Sequence, residues 1–452
     1  YVIEMDNEDN KITLNKNKDT LLMENIRIKT ADQDDITAED PLRFYIYKEL
    51  VEPGTYEIRG SFATVVDGAQ QTWDVSNFAG FFYDIDDNLG NEQISLTITG
   101  DALAEDVPAG QDRGVIYRTT GQADDFEFED WGEYITIGFL ADQYFAAYVE
   151  ADNAKEDAFL YYDSEDRNLM VDEQLSRVLI NDDEEYTFTT GTPLKLKEGY
   201  ELAIRAIDLD GNKVYVELFK DGKSVDSAVV EPSKDNADME DKSYTYTMNM
   251  GDTEDIVVIA AHFKNAFRGA EQDLATVDGI WQISDAVTEV EEDTEYDKMT
   301  VQTVNSDDYV IEMDNEDNKI TLNKNKDTLL MENIRIKTAD QDDITAEDPL
   351  RFYIYEELVI EGEEEVVVAP AEEEVVEVVE PEVVEEEVVE ETPVEEEVVV
   401  EEAPAEEEVV EEAPVEIEKA PAEDEGGIPG FEMVFALTGL LAVSYLVLRR
   451  RD

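Results

Sequence analysis

The sequence predicts an all-β chain: tandem β-sandwich domains, followed by a disordered acidic stalk and one C-terminal transmembrane helix. Three observations carry that expectation. Short apolar–polar alternations separated by turn residues recur through most of the 452 residues, the pattern of half-buried strands. Residues 1–47 recur letter for letter at 309–355, so the chain contains a duplicated unit. Beyond residue 355 the composition changes twice, first to Glu, Val, Pro and Ala, then to an apolar run closed by Arg449, Arg450 and Arg451.

The repeated block comes first along the chain, and its two copies part at Lys48 against Glu356. Fold constraints alone do not hold exposed Asn, Lys and Asp to a single letter, which points to recent duplication. The first copy is followed by new globular sequence from Pro53 and Gly54, the second by the stalk. The block therefore closes a unit. On this reading residues 1–52 are the C-terminal part of a preceding repeat, and one complete repeat runs over 53–355. The opposite phase, in which the block opens a unit, leaves the second copy orphaned against the stalk. Within the complete repeat the expected sandwich domains are 53–193 and 194–355. Tyr1 falls inside a strand-like pattern with no basic-then-apolar leader, so an export signal is expected to precede it.

Strand signals fill the repeat. Residues 194–230 read as a meander with turns at Asp210-Gly211-Asn212 and Asp221-Gly222, because Asp-Gly between alternating runs is a strong hairpin signal. Further strands are expected at 94–99, 114–118, 134–139, 159–162, 186–190, 244–249 and 256–263. Two stretches, 141–150 and 173–179, read as helices. Short strands at this spacing favour sandwiches over folds with crossover helices.

Residues 356–425 are dominated by Glu, with Lys419 as the lone base and no aromatic residue beyond position 355 until Phe431. Such a segment repels itself and cannot bury a core, so it is expected to stand extended. Held near polyproline geometry at about 3.1 Å per residue, it reaches on the order of 200 Å. Residues 426–452 hold the apolar run. Counted from Phe431 to Leu448, a helix here spans about 27 Å, enough for a bilayer core. The three arginines place the C-terminus on the cytoplasmic side and everything before it outside.

Composition removes several classes of chemistry. Asp and Glu number 116 against 34 Lys and Arg, a formal charge of −82, which makes nucleic acid a poor partner and cations good ones. Without cysteine there are no disulfides, thiolate metal sites or cysteine nucleophiles. The lone histidine, His262, sits in the apolar run IVVIAAHF, where an imidazole is a strand or core residue rather than a catalyst. No catalytic site is expected. The best metal candidate is Asp84, Asp86, Asp87 and Asn88, whose alternating oxygens resemble a calcium loop, although Gly90 falls one place late and the bidentate Glu is missing. The competing reading is a solvated turn. Asp208, Asp210 and Asn212 form a weaker second candidate. Trp73, Phe78, Phe81, Phe82 and Tyr83 read as sandwich core before they read as a carbohydrate platform.

Two resemblances sharpen this. Pro429-Gly430-Phe431, followed by a short apolar run and a basic end, resembles the PGF-CTERM sorting signal handled by archaeosortases. That resemblance implies cleavage near the tripeptide and replacement of the helix by a lipid anchor. Residues 73–86 (WDVSNFAGFFYDID), 263–269 (FKNAFRG) and the repeated ITLNKNKD of 12–19 are similar to the duplicated S-layer domain of methanogenic archaea of the Methanosarcina group. The resemblance implies two β-sandwich domains per repeat, self-association into a porous two-dimensional lattice at the cell surface, and no enzymatic activity. Proteins of this kind are often N-glycosylated, whereas no Asn-x-Ser/Thr sequon occurs here. The functional expectation is a structural component of that layer, with Ca2+ or other divalent cations bridging subunits. The alternative is a surface adhesin or ligand-binding module that forms no lattice; an extracellular hydrolase using carboxylates alone is a distant third.

Overall fold

The computed structural model describes residues 11–33, 36–103, 114–148, 160, 167–208, 213–234, 236–269, 272–315 and 318–360. The stalk beyond residue 360 and the C-terminal segment, with its expected membrane helix, lie outside the described residues. Among those described, the chain is all β, and every strand pair is antiparallel. Helical structure is confined to Met239–Lys242 and to two short 3-10 turns, Glu129–Trp131 and Leu169–Asp172.

The meander forms as expected. Tyr200–Ile207, Val214–Lys220 and Lys223–Val230 pair in sequence order, with Leu194–Lys195 on the outer edge. Asp221 and Gly222 both take positive φ, 51° and 74°, the mirror-image turn whose twist matches a hairpin. Leu202, Ile204, Val216 and Leu218 alternate into one face and are buried.

A larger sheet lies against that face. Its strands run in the order Gln122–Asp125, Glu133–Phe139, Asp142–Tyr148, Gln174–Asp182, Leu274–Glu289, Thr253–Phe267 and Ser243–Met250, and Tyr186–Thr189 also pairs with Leu274–Glu289. Both helical expectations fail here. Residues 142–148 form a strand because Leu140 and Ala141 adopt positive φ, 52° and 76°, and turn the chain straight back onto Glu133–Phe139. The second stretch is strand from Gln174, after Glu173 ends the preceding 3-10 turn in the left-handed region.

The large sheet is a shared wall between two cores. Tyr134, Phe145 and Tyr148 pack into one, with Trp131, Trp281 and the meander; Ile135, Ile137, Phe139, Ala146 and Ala147 pack into the other. A bulge opposite Ile135 and Thr136 inserts Ala146 into the strand, so Ala146 and Ala147 serve the same core despite being adjacent. Behind the second core lies another sheet, in the order Glu295–Tyr296, Met299–Asn305, Val310–Asp314, Val115–Thr120, Gln93–Thr99, Ala102–Leu103 and Ile320–Thr321. The first core draws on residues 126–283, the second on 63–175 and 290–354. Phe188 and Tyr200, on either side of residue 193, share the first core.

The duplicated block is seen in both copies. Lys18–Met23, Ile26–Thr30 and Phe44–Lys48 form a three-stranded sheet of their own. In the second copy Asp327–Met331, Ile334–Thr338 and Arg351–Ile360 form the same three strands, and Gly54–Arg59 and Ala63–Thr64 extend that sheet along Arg351–Ile360.

Candidate functional site

The expected calcium loop is a tight turn. Asp84 and Leu89 exchange backbone hydrogen bonds, the Asp84 N–H donating to Leu89 O at 2.8 Å and the Leu89 N–H donating back at 3.0 Å. Asp84 Oδ1 accepts from the Asp86 and Asp87 N–H groups at 2.7 and 3.4 Å. This is the local side-chain-to-backbone bonding that makes Asp a turn residue. Gly90 is obligatory there: its φ is 142°, and a Cβ would lie 2.5 Å from the Phe82 carbonyl oxygen.

The four side chains do not point at one place. Asp86 Oδ1 accepts from the Asp32 N–H at 2.8 Å, and its other oxygen faces Lys29 at 3.6 Å. Asn88 Oδ1 accepts from the Tyr83 hydroxyl at 2.9 Å. Arg43 donates to the carbonyls of Ile85 and Asp86 at 2.9 and 2.6 Å. The turn is therefore where the first copy of the block rests on the rest of the chain. Among the described residues no group of three or more His, Asp or Glu is arranged to hold a metal ion. Of the second candidate set only Asp208 is described; it accepts from the Lys213 N–H at 3.2 Å, and Asp210 and Asn212 lie outside the described residues.

Asp84 and Asp87 instead share a cavity of about 180 Å³ with Asp124 and Glu127. Burial, then mutual repulsion, raises all four carboxyls: Asp87 to about 6, Glu127 to about 7, Asp124 to about 8, and Asp84 above its ordinary range. Asp124 also accepts from the Tyr134 hydroxyl at 2.5 Å. At neutral pH the group holds protons among its members. Asp124 and Glu127 carry no sequence signal, because one acid among 116 stands out only when the fold buries it.

A second buried acid, also silent in the sequence, is Glu92. Its carboxylate accepts from Phe82 N at 2.8 Å, Tyr117 OH at 2.9 Å and Ala141 N at 3.0 Å. Burial raises its pKa to about 7 against the pull of these three donors. The contact with Ala141, and that of Tyr117 OH with Leu140 N at 3.1 Å, hold the left-handed turn that produces the strand at 142–148. His262 is structural. Its Nδ1 lies 2.5 Å from Asp278 Oδ1, its ring stacks on Phe128 at 4.3 Å, and burial depresses its pKa. Trp73, Phe78 and Phe81 are core residues; Phe82 and Tyr83 are half-buried beside them.

Duplicated antiparallel domains, an imidazole locked between strands, and buried acids that brace turns define a class: a structural protein assembled from β repeats. The chain belongs to the S-layer protein family, whose profile matches residues 63–340. The PGF-CTERM motif matches residues 428–450, taking in Pro429, Gly430 and Phe431, all outside the described residues. The chain is 35% identical to the major S-layer protein of Methanosarcina acetivorans and 32% identical to that of Methanosarcina barkeri, over 98% of its length in each case. Against the major S-layer protein of Methanosarcina mazei the identity is 34% over 79% of the chain. The chain spans 59%, 60% and 47% of these relatives, respectively. Family and tail motif together place it at the cell surface.

Proposed function

We propose that the chain is a building block of a porous, negatively charged two-dimensional lattice, held to the cell membrane through its C-terminus. The observation that carries this reading is the family match over 63–340 combined with the sorting motif at 428–450 on one chain. The role is passive and non-enzymatic. Rigid antiparallel domains supply the sheet, and the acidic segment 356–425 holds it off the bilayer. An archaeosortase cleaves near Pro429-Gly430-Phe431 and a lipid replaces the helix. A formal charge of −82 lines any gap between subunits with carboxylates, which attract cations and repel large anions. Divalent cations such as Ca2+ relieve that repulsion by bridging exposed carboxylates of neighbouring subunits.

The test is negative-stain electron microscopy of residues 1–425 adsorbed to a lipid monolayer, with and without calcium. Ordered arrays that need calcium support both the lattice and the bridging; arrays that survive chelation remove the bridging alone. Isolated particles under every condition overturn the lattice and favour a surface adhesin.

A further inference from the structure

The two copies of the block have one sequence and one internal register, yet only one of them is covered. Asp19 pairs with Lys29 and Thr20 with Ile28 in the first; Asp327 pairs with Lys337 and Thr328 with Ile336 in the second. Both break register at the same bulge, Leu21/Met23 and Leu329/Met331. In the second copy Leu322, Leu330, Met331, Ile334, Phe352 and Ile354 belong to the core. In the first the same positions face solvent or are only half-covered. Phe44 is 53% exposed against 1% for Phe352, Met23 45% against 0% for Met331, and Leu14 42% against 2% for Leu322.

The second copy also shows what the cover is. Gly54–Arg59 pairs along Arg351–Ile360, from Tyr355 opposite Arg59 to Ile360 opposite Gly54. The Gly60 N–H donates to Ile354 O at 2.9 Å and the Val65 N–H to Leu350 O at 2.8 Å. Trp73 meets the Phe352 ring edge-on at 6.0 Å, and Glu57 takes an ion pair from Lys337 and a hydrogen bond from Tyr353 at 3.1 Å. Without such a partner, Phe44–Lys48 is an edge strand of five residues where its counterpart runs for ten. The edge it offers is complete, since Glu49-Leu50-Val51 repeats Glu357-Leu358-Val359.

We infer that the bare sheet of residues 11–51 is the seat for a further body of the same fold as residues 53–308, lying N-terminal to residue 1 in the same polypeptide. Each body is then closed by the block that follows it. The occupant is this body and not a second copy of the chain. Exchanging identical blocks between two chains covers one face by uncovering its equal, so no apolar area is removed from water on balance. A further body in the same polypeptide covers the face outright. The relatives have room for one, because the matches leave two-fifths or more of their length outside.

The chain has no cysteine, so single thiols report burial cleanly. Phe44→Cys and Phe352→Cys, with the gentler pair Met23→Cys and Met331→Cys, are placed one at a time in the 452-residue chain and in a chain extended before residue 1 by another copy of 53–308. Thiol labelling is timed in each. In the 452-residue chain the first-block thiols react about tenfold or more faster than their second-block equivalents. In the extended chain they slow to the second-block rate, and Ile58→Arg in the added body alone restores the fast rate. Three results overturn the inference. One is first-block thiols that stay fast beside an added body whose tryptophan emission shows it folded. Another is slow labelling that Ile58→Arg does not reverse. The last is equal rates for both blocks in the 452-residue chain, which means the first block displaces the second on Gly54–Arg59 through a turn at Glu52-Pro53-Gly54.

Discussion

Residues 11–48 and 319–356 are one sequence, but for their last residue, in two environments, and comparing them separates what a segment does alone from what its neighbours do to it. Both copies form the same hairpin with the same bulge. Both place an Asn and a Glu in the left-handed region, Asn17 and Glu24 in one, Asn325 and Glu332 in the other. In each an Asp side chain joins an Arg to a Tyr: Asp19 with Arg27 at 2.8 Å and Tyr47 at 2.6 Å, Asp327 with Arg335 at 2.8 Å and Tyr355 at 2.7 Å. Each Thr at the end of the second strand accepts a backbone N–H from across the hairpin, Lys18 N to Thr30 at 2.9 Å and Lys326 N to Thr338 at 2.8 Å. What differs is the far side of the sheet. The second copy buries it under Trp73 and Gly54–Arg59, and the first rests on the Asp84–Leu89 turn through polar contacts from Lys29, Asp32 and Arg43.

Matched substitutions test that difference. The largest effect is expected at the covered ring: Phe352→Ala costs about 3–5 kcal/mol in chemical denaturation, because a buried aromatic leaves a cavity, whereas Phe44→Ala stays within about 0.5 kcal/mol. Equal costs break the comparison. Next is Ile336→Val against Ile28→Val, with about 0.5–1.5 kcal/mol expected at the buried position and less at the half-exposed one.

A pH effect should belong to the second copy alone. Burial, then repulsion from Asp142 and Glu92, raises Glu356 to about 7 from the ordinary 4.5. A carboxyl raised on folding favours the folded state fully below its unfolded pKa and loses that contribution as pH rises through about 7. Glu356→Gln should therefore raise the melting temperature at pH 8 and change it little at pH 4. A variant indifferent to pH shows that the carboxylate reaches water. The smallest effect sharpens the comparison from the other side. Asp19→Asn and Asp327→Asn should each cost about 1 kcal/mol and match each other, since the contact is local to the hairpin. Unequal costs, read by hydrogen exchange in the two blocks, show that tertiary cover strengthens even this pair.

Legibility followed the same division elsewhere. The meander at 200–230 could be read because Asp221-Gly222 declares its own turn. The strand at 142–148 could not, since Leu140 and Ala141 are poor candidates for positive φ and turn only because Glu92 and Tyr117, far away in sequence, bind their amides. His262 and the aromatic run 73–81 were legible as core from their apolar surroundings. The acid turn at Asp84 was legible as a turn. Its company was not: Asp124 and Glu127 join it across the fold, and Asp86 and Asn88 are drawn to other partners.

By itself, then, the sequence determined the β class, the duplication, the sorting tail, and the register, bulge and turn geometry of each block. All of these depend on residues within a few positions of one another or directly across a hairpin, and they come out alike wherever the block is placed. Only the tertiary structure decided which block is core and which is surface, how long its last strand runs, and which acids titrate near neutrality. Apolar burial, edge pairing and desolvation are properties of a segment together with what covers it, and the same letters acquire them at 319–356 and lack them at 11–48.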